Sequence, residues 1–185
     1  MQRPGWTLLA ILLMTACARE APPPAGAADS AIVVDSAITT FVIEGEGLRF
    51  FVLATGAARP LPFGTDSAVV HEALLRTPAG VPVESGRGGD CPGSYARWSN
   101  GLSLRYAAGR FIGWSVAAGD GTVTTAGGIG VGSTRAQLED VMTLEVTATS
   151  LGTEFTAGGI AGLLDGTGPA ARVSNLWAGE VCIAR

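Results

Sequence analysis

The sequence predicts an α+β fold of two related units, each a short helix packed on an antiparallel β-sheet. Three observations predict it. First, residues 128–142, GIGVGSTRAQLEDVM, run through Gly132-Ser133-Thr134 into apolar residues at helical spacing. Second, a fainter version occurs at residues 63–74, FGTDSAVVHEAL. In register, Gly64 matches Gly132 and Asp66 matches Thr134. Ala68, Val70, Ala73 and Leu74 match Ala136, Leu138, Val141 and Met142. Third, each pattern is followed by short β-branched and aromatic runs punctuated by glycine turns.

The chain has 185 residues, is strongly apolar, and carries 27 glycines and few charges. That composition fits one compact domain behind a targeting segment. Arg3 supplies a short positive start, residues 6–14 (WTLLAILLM) are apolar, and Leu13-Met14-Thr15-Ala16 places small residues before Cys17. The apolar run is too short to span a bilayer and fits a cleaved signal. The motif resembles the lipobox of bacterial lipoproteins. That resemblance implies a signal peptide at 1–16, diacylation of Cys17 as the mature N-terminus, and anchoring in the cell envelope. Each buried acyl methylene adds about 0.8 kcal/mol to such an anchor. Ala18, rather than an aspartate, follows the cysteine. By the same resemblance this favours the periplasmic side of the outer membrane in a cell with two membranes. An ordinary secretory signal with an incidental cysteine is the alternative. Residues 17–30, rich in proline and alanine, cannot bury a core and read as a tether.

The folded part is expected over residues 31–185, with units at about 48–118 and 122–185. Residues 31–34, 38–43 and 48–53 are short β-branched or aromatic runs, and Glu44-Gly45-Glu46-Gly47 makes a hairpin turn between the last two. Residues 57–62 punctuate with prolines. The first helix is expected over 63–75, capped by Asp66 and stopped by Thr77-Pro78-Ala79-Gly80. Residues 81–93 read as a loop carrying Cys91. Strands are then expected at 95–98, 102–106 and 111–116, joined by Asn-Gly and Ala-Gly turns into a meander. A short run follows at 122–125.

The second helix is expected at 135–144. Thr134 caps it, with Gln137 as the reciprocal partner. Strands follow at 145–149, around Phe155, and at 160–164, 172–177 and 180–183. Arg110-Phe111-Ile112-Gly113-Trp114 finds a loose echo in Arg172-Val173-Ser174-Asn175-Leu176-Trp177. With Cys17 committed to lipid, Cys91 and Cys182 remain as an even pair in an oxidising compartment, which predicts a disulfide between the halves.

A glycine turn, a hydroxyl or acidic cap, a short helix and antiparallel strands, repeated behind a lipobox, resemble two known arrangements. These are the outer-membrane assembly lipoproteins of the BamE (SmpA/OmlA) type and the tandem-repeat β-lactamase inhibitor protein. The resemblance rests on Gly64-Thr65-Asp66, Gly132-Ser133-Thr134 and the repeat layout. It implies helices packed on one face of an antiparallel sheet, with the other face binding a protein. It carries no binding residue over.

Catalytic signatures are weak. His71, the single histidine, matches the polar-face position Glu139, so no imidazole zinc site is expected. Gly113-Trp114-Ser115-Val116-Ala117 approaches a nucleophile elbow but sits inside an expected strand, where Ser115 reads as an outward residue. Gly128-Ile129-Gly130-Val131-Gly132-Ser133 misses the dinucleotide spacing, and the phosphate loop needs a lysine that the chain lacks. No cofactor and no metal are expected. The formal charge of −4 with singly scattered arginines gives no footprint for nucleic acid.

Trp98, Trp114, Trp177, Tyr95, Tyr106 and Phe111 all fall on the expected meander strands. Such aromatics either fill the core or, for Trp114 and Trp177, anchor a partner on an open face. The expectation is therefore a non-catalytic, lipid-anchored envelope protein that binds another protein. Trp114, Trp177 and Asp90, in the Asp90-Cys91-Pro92 loop, are its candidate contacts. A small molecule or glycan on an aromatic sheet face is the alternative.

Overall fold

Alternating residues and tight glycine turns fold the first part of the chain into a three-stranded antiparallel meander: β1 (Thr39–Glu44), β2 (Gly47–Val52) and β3 (Ala58–Pro62). The computed structural model describes residues 39–89 and 91–182. The signal at 1–16, Cys17, the tether at 17–30, the run at 31–34, Asp90 and the last expected strand position, Ile183, lie outside the described residues.

The rest of the described chain builds one eight-stranded antiparallel sheet and two short helices, so the class is mixed α+β. Helix α1 (Ser67–Leu75) leads into β4 (Glu84–Arg87), β5 (Ser94–Arg97), β6 (Leu102–Ala107) and β7 (Arg110–Ala117). Helix α2 (Arg135–Val141) leads into β8 (Glu145–Thr149), β9 (Gly152–Ala157), β10 (Ile160–Leu164) and β11 (Val173–Gly179). The strand order is β4-β5-β6-β7-β11-β10-β9-β8, two four-stranded meanders joined through their last strands.

Both helices begin as the sequence predicts. Asp66 accepts a hydrogen bond from the Ala68 N–H at 2.9 Å. Thr134 and Gln137 form a full capping box, with the Thr134 N–H donating to Gln137 Oε1 at 2.8 Å. The surroundings of the two starts also match. Gly64 N–H donates to Phe111 O at 2.7 Å, and Phe111 N–H donates to Thr65 O at 2.9 Å. At the second start Gly132 N–H donates to Val173 O at 2.8 Å, and Val173 N–H donates to Ser133 O at 2.9 Å. Arg110 donates to Gly64 O as Arg172 donates to Gly132 O.

The core lies on one face of the large sheet. Leu102, Leu104, Tyr106, Phe111, Trp114, Val116, Phe155, Leu164, Val173 and Leu176 form one apolar cluster there. Val70, Ala73 and Leu74 of α1, Leu138 of α2, and Ile43, Leu48, Phe50 and Leu61 of the small sheet complete it. At about 25 cal/mol per Å² of apolar area removed from water, this cluster is the main source of stability.

Four local expectations need correction. β3 forms where prolines suggested only punctuation. It is the edge strand of its sheet, where a missing N–H costs no ladder hydrogen bond. β4 forms inside the expected 81–93 loop. Its Glu-Ser-Gly-Arg sequence has no apolar alternation, and pairing with β5 supplies its order. Helix α2 ends at Val141, because Met142 is already extended and leads toward β8. The expected strand at 180–183 is absent among the described residues: β11 ends at Gly179, whose φ of +71° turns the chain out of the sheet.

Candidate functional site

Register partners in adjacent antiparallel strands point to the same side of a sheet. One row, Ala96, Leu104, Trp114 and Ala178, is buried throughout and faces the core. The row beside it crosses the entire sheet: Glu84, Arg97, Ser103, Ser115, Trp177, Ala161, Thr156 and Glu145. No member of this second row is fully buried. The large sheet therefore has a core face and an open face.

The two tryptophans proposed as a pair part company here. Trp114 is fully buried on the core face, and its Nε1 donates to Glu44 O at 2.8 Å. It is a core residue and no contact point on the open face. Trp177 is half-buried on the open face, opposite Ser115. The loose echo placed these residues one position out of step. Counted from the matching hydrogen bonds of Phe111 and Val173, Trp114 takes the place of Leu176 and Trp177 that of Ser115. Ser115 is the outward strand residue that alternation predicts. Asp90 lies outside the described residues.

After Gly179 the chain leaves β11 and crosses onto the open face. Glu180 N–H still donates to Ile112 O at 2.8 Å. A Cβ built on Gly113 would stand 2.8 Å from the Glu180 nitrogen and closer still to its carbonyl, so the strap passes where a side chain would be. It ends at Cys182, which pairs with Cys91 in the β4–β5 loop, their Cα atoms 6.1 Å apart. That separation lies within the disulfide range.

The strap and its disulfide divide the open face into two hollows. One, of about 610 Å³, lies over β5, β6 and β7, and its lining includes Arg87, Tyr95, Arg97, Ser103, Arg105 and Ser115. The other, of about 270 Å³, is walled by Trp177, Leu163, Asn175 and Val181. Cys182 lines both.

The larger hollow is rich in donors. Arg97 makes an ion pair with Glu84 at 3.1 Å and stacks over the Tyr95 ring at 5.0 Å. The Tyr95 hydroxyl donates to the same carboxylate at 2.5 Å. That hydrogen bond, with Arg97 nearby, holds the Glu84 carboxyl below its ordinary range. The same hydrogen bond pushes the Tyr95 phenol up against the opposing pull of Arg97. Arg105 donates to Pro92 O and pins the loop that carries Cys91. The Ser103 and Ser115 hydroxyls, side by side on the floor, have no hydrogen-bond partner among the described residues. Reasoning from sequence passed over Arg97, Ser103 and Arg105. Their signal was their place as polar residues at alternate positions of the meander, a pattern that any half-exposed sheet shares.

Elsewhere, no group of three or more His, Cys, Asp or Glu side chains comes together among the described residues. His71 lies on α1 between the rings of Trp98 and Tyr106, at 5.7 and 5.3 Å, away from the open face. No described helix is long and apolar enough to cross a membrane. Comparison with protein-family models, with characterised proteins and with solved structures gives no match.

Proposed function

We propose that this protein is a non-catalytic envelope protein, anchored through lipid on Cys17, that binds a partner protein through the open face of its large sheet. The observation that carries the reading is the uncovered, hollowed face itself. A sheet of eight strands offers far more surface than its own helices cover, and a disulfide-tied strap shapes what remains. The lipobox resemblance supports the anchor and the outer-membrane location.

The domain reads as two related units, each a helix followed by a four-stranded meander. Matching caps, matching glycine hydrogen bonds and matching arginines at the two helix starts support this, as does the mirrored strand order. Three further elements, β1, β2 and β3, precede them. Such a duplication joins two half-sheets into one broad face.

Crosslinking from intact envelopes, with the native protein as bait, tests the reading. One stoichiometric protein partner, lost on Trp177→Ala but kept on a distant surface change, is the expected result. Well-folded bait that captures no protein would overturn it. Weight would then pass to a small molecule or glycan, for which Trp177 beside the smaller hollow is the specific support. The anchor is tested separately by fractionation: Cys17→Ala is expected to release the protein from membranes, and unchanged association would rule the lipid out.

A further inference from the structure

The chain carries a net charge of −4, yet among the described residues the larger hollow is lined by three arginines and by no acidic side chain. Arg97 and Arg105 stand on its β5 and β6 side, and the unpartnered hydroxyls of Ser103 and Ser115 form its floor. Donors therefore outnumber acceptors around a concave surface, the arrangement that selects an anion. Glu84, on the edge strand β4, holds Arg97 from the rim. Both members of that pair are about half exposed, with side-chain exposures of 58% and 49%, so water competes strongly for it. An incoming carboxylate can replace Glu84 on Arg97 at little cost and gain the serine hydroxyls as well.

We propose that this hollow is a carboxylate subsite, and that the partner docks an acidic peptide segment into it. This rests on the reading of the open face as a protein-binding surface, and it adds the chemistry of the segment bound there. The side chains fit a planar carboxylate: an arginine fork on one bank and hydroxyl donors below. Glu84 then acts as a resident competitor that occupies Arg97 until the partner arrives.

The test is fluorescence anisotropy of a labelled hexaglutamate peptide titrated with the purified, disulfide-bonded full chain. Hexaglutamate is expected to bind in a salt-sensitive way, and a hexalysine peptide of the same length is not. Arg97→Gln is expected to weaken binding about tenfold, the factor one charge-assisted hydrogen-bond pair corresponds to. Glu84→Gln is expected to tighten it, an outcome that loss of folding cannot mimic. Ser115→Leu, which fills the floor, is expected to abolish it. Absence of hexaglutamate binding, or equal binding by wild type, Arg97→Gln and Glu84→Gln, would overturn the proposal. So would attachment of the Cys17→Ala chain to phosphatidylglycerol vesicles that Arg97→Gln weakens and hexaglutamate fails to displace, since a lipid surface would then be the anionic ligand. None of these failures touches the crosslinking result, so capture of a partner by a protein that fails to bind hexaglutamate would sink the acidic segment alone.

Discussion

Tyr106 and Trp114, two aromatic side chains of the core, show how a buried group can be favourable in one atom and costly in another, or satisfied in both. The Tyr106 ring is buried, but its hydroxyl has no hydrogen-bond partner among the described residues, and burial pushes its pKa upward. An unpaired buried hydroxyl costs on the order of 1–3 kcal/mol. Tyr106→Phe is therefore expected to stabilise the protein by about 1 kcal/mol, read as a higher denaturation midpoint in urea; a lower midpoint would mean that the hydroxyl has a partner. Trp114 is the opposite case, with both ring and Nε1 satisfied. Trp114→Ala is expected to lose about 3–5 kcal/mol, whereas Trp177→Ala should cost far less and act on partner binding. His71, packed against Trp98 and Tyr106, is held below its ordinary pKa by burial. In the unfolded chain it takes a proton near pH about 6.5, so below that pH the unfolded state binds more protons. Its contribution is full above about pH 6.5 and is lost as pH falls toward the folded pKa. Thermal melts from about pH 7.5 to 5.5 should show a decline that His71→Gln removes. An identical slope in the variant would clear His71 of responsibility.

At the scale of elements, the strap matters most. Gly113 has no side chain where the Glu180 backbone passes, and Gly179 uses a positive φ to start the crossing. Gly113→Ala is expected to push the strap off the sheet and to cost about 1–3 kcal/mol, the usual penalty of overpacking against atoms that cannot yield. Faster reduction of the Cys91–Cys182 bond under mild thiol would report the displacement. Wild-type reduction kinetics in that variant would show that the strap does not lie where Gly113 makes room for it. The caps give a paired comparison. Asp66→Ala and Thr134→Ala should each cost about 1 kcal/mol, since each removes the acceptor for an otherwise unpaired helix N–H.

At the scale of the whole molecule, one disulfide closes a separation of 91 residues and joins the loop after β4 to the strap after β11. In the chain-entropy model such a bond contributes up to about 4–5 kcal/mol. The double variant Cys91→Ser/Cys182→Ser should lose a few kcal/mol in equilibrium unfolding and open the boundary between the two hollows. Labelling of both thiols in the native oxidised protein would contradict the bond. The strand order also leaves one broad surface for the proposed partner. Helices and the small sheet occupy the core face, so the open face is the broad surface left over the larger sheet.

The α+β class, both helix starts, the central meander and the cysteine pair were legible in the sequence by itself, because each rests on local physics. Glycine turns, cap side chains and two-residue alternation act within a few residues of one another, and the two cysteines left once Cys17 is set aside for lipid pair through chemistry alone. What the sequence could not decide is which side of each strand meets the core. The pattern Phe111-Ile112-Gly113-Trp114-Ser115 is consistent with Trp114 on either face, because period-two alternation names two sides without saying which is covered. The tertiary structure decided it by setting β7 against β11 in one register and laying Glu44 over Trp114. It also made β4 a strand and residues 180–182 a strap. Neither has a sequence pattern of its own, and pairing with distant residues, a disulfide and one missing side chain at Gly113 supply the order that local propensity does not.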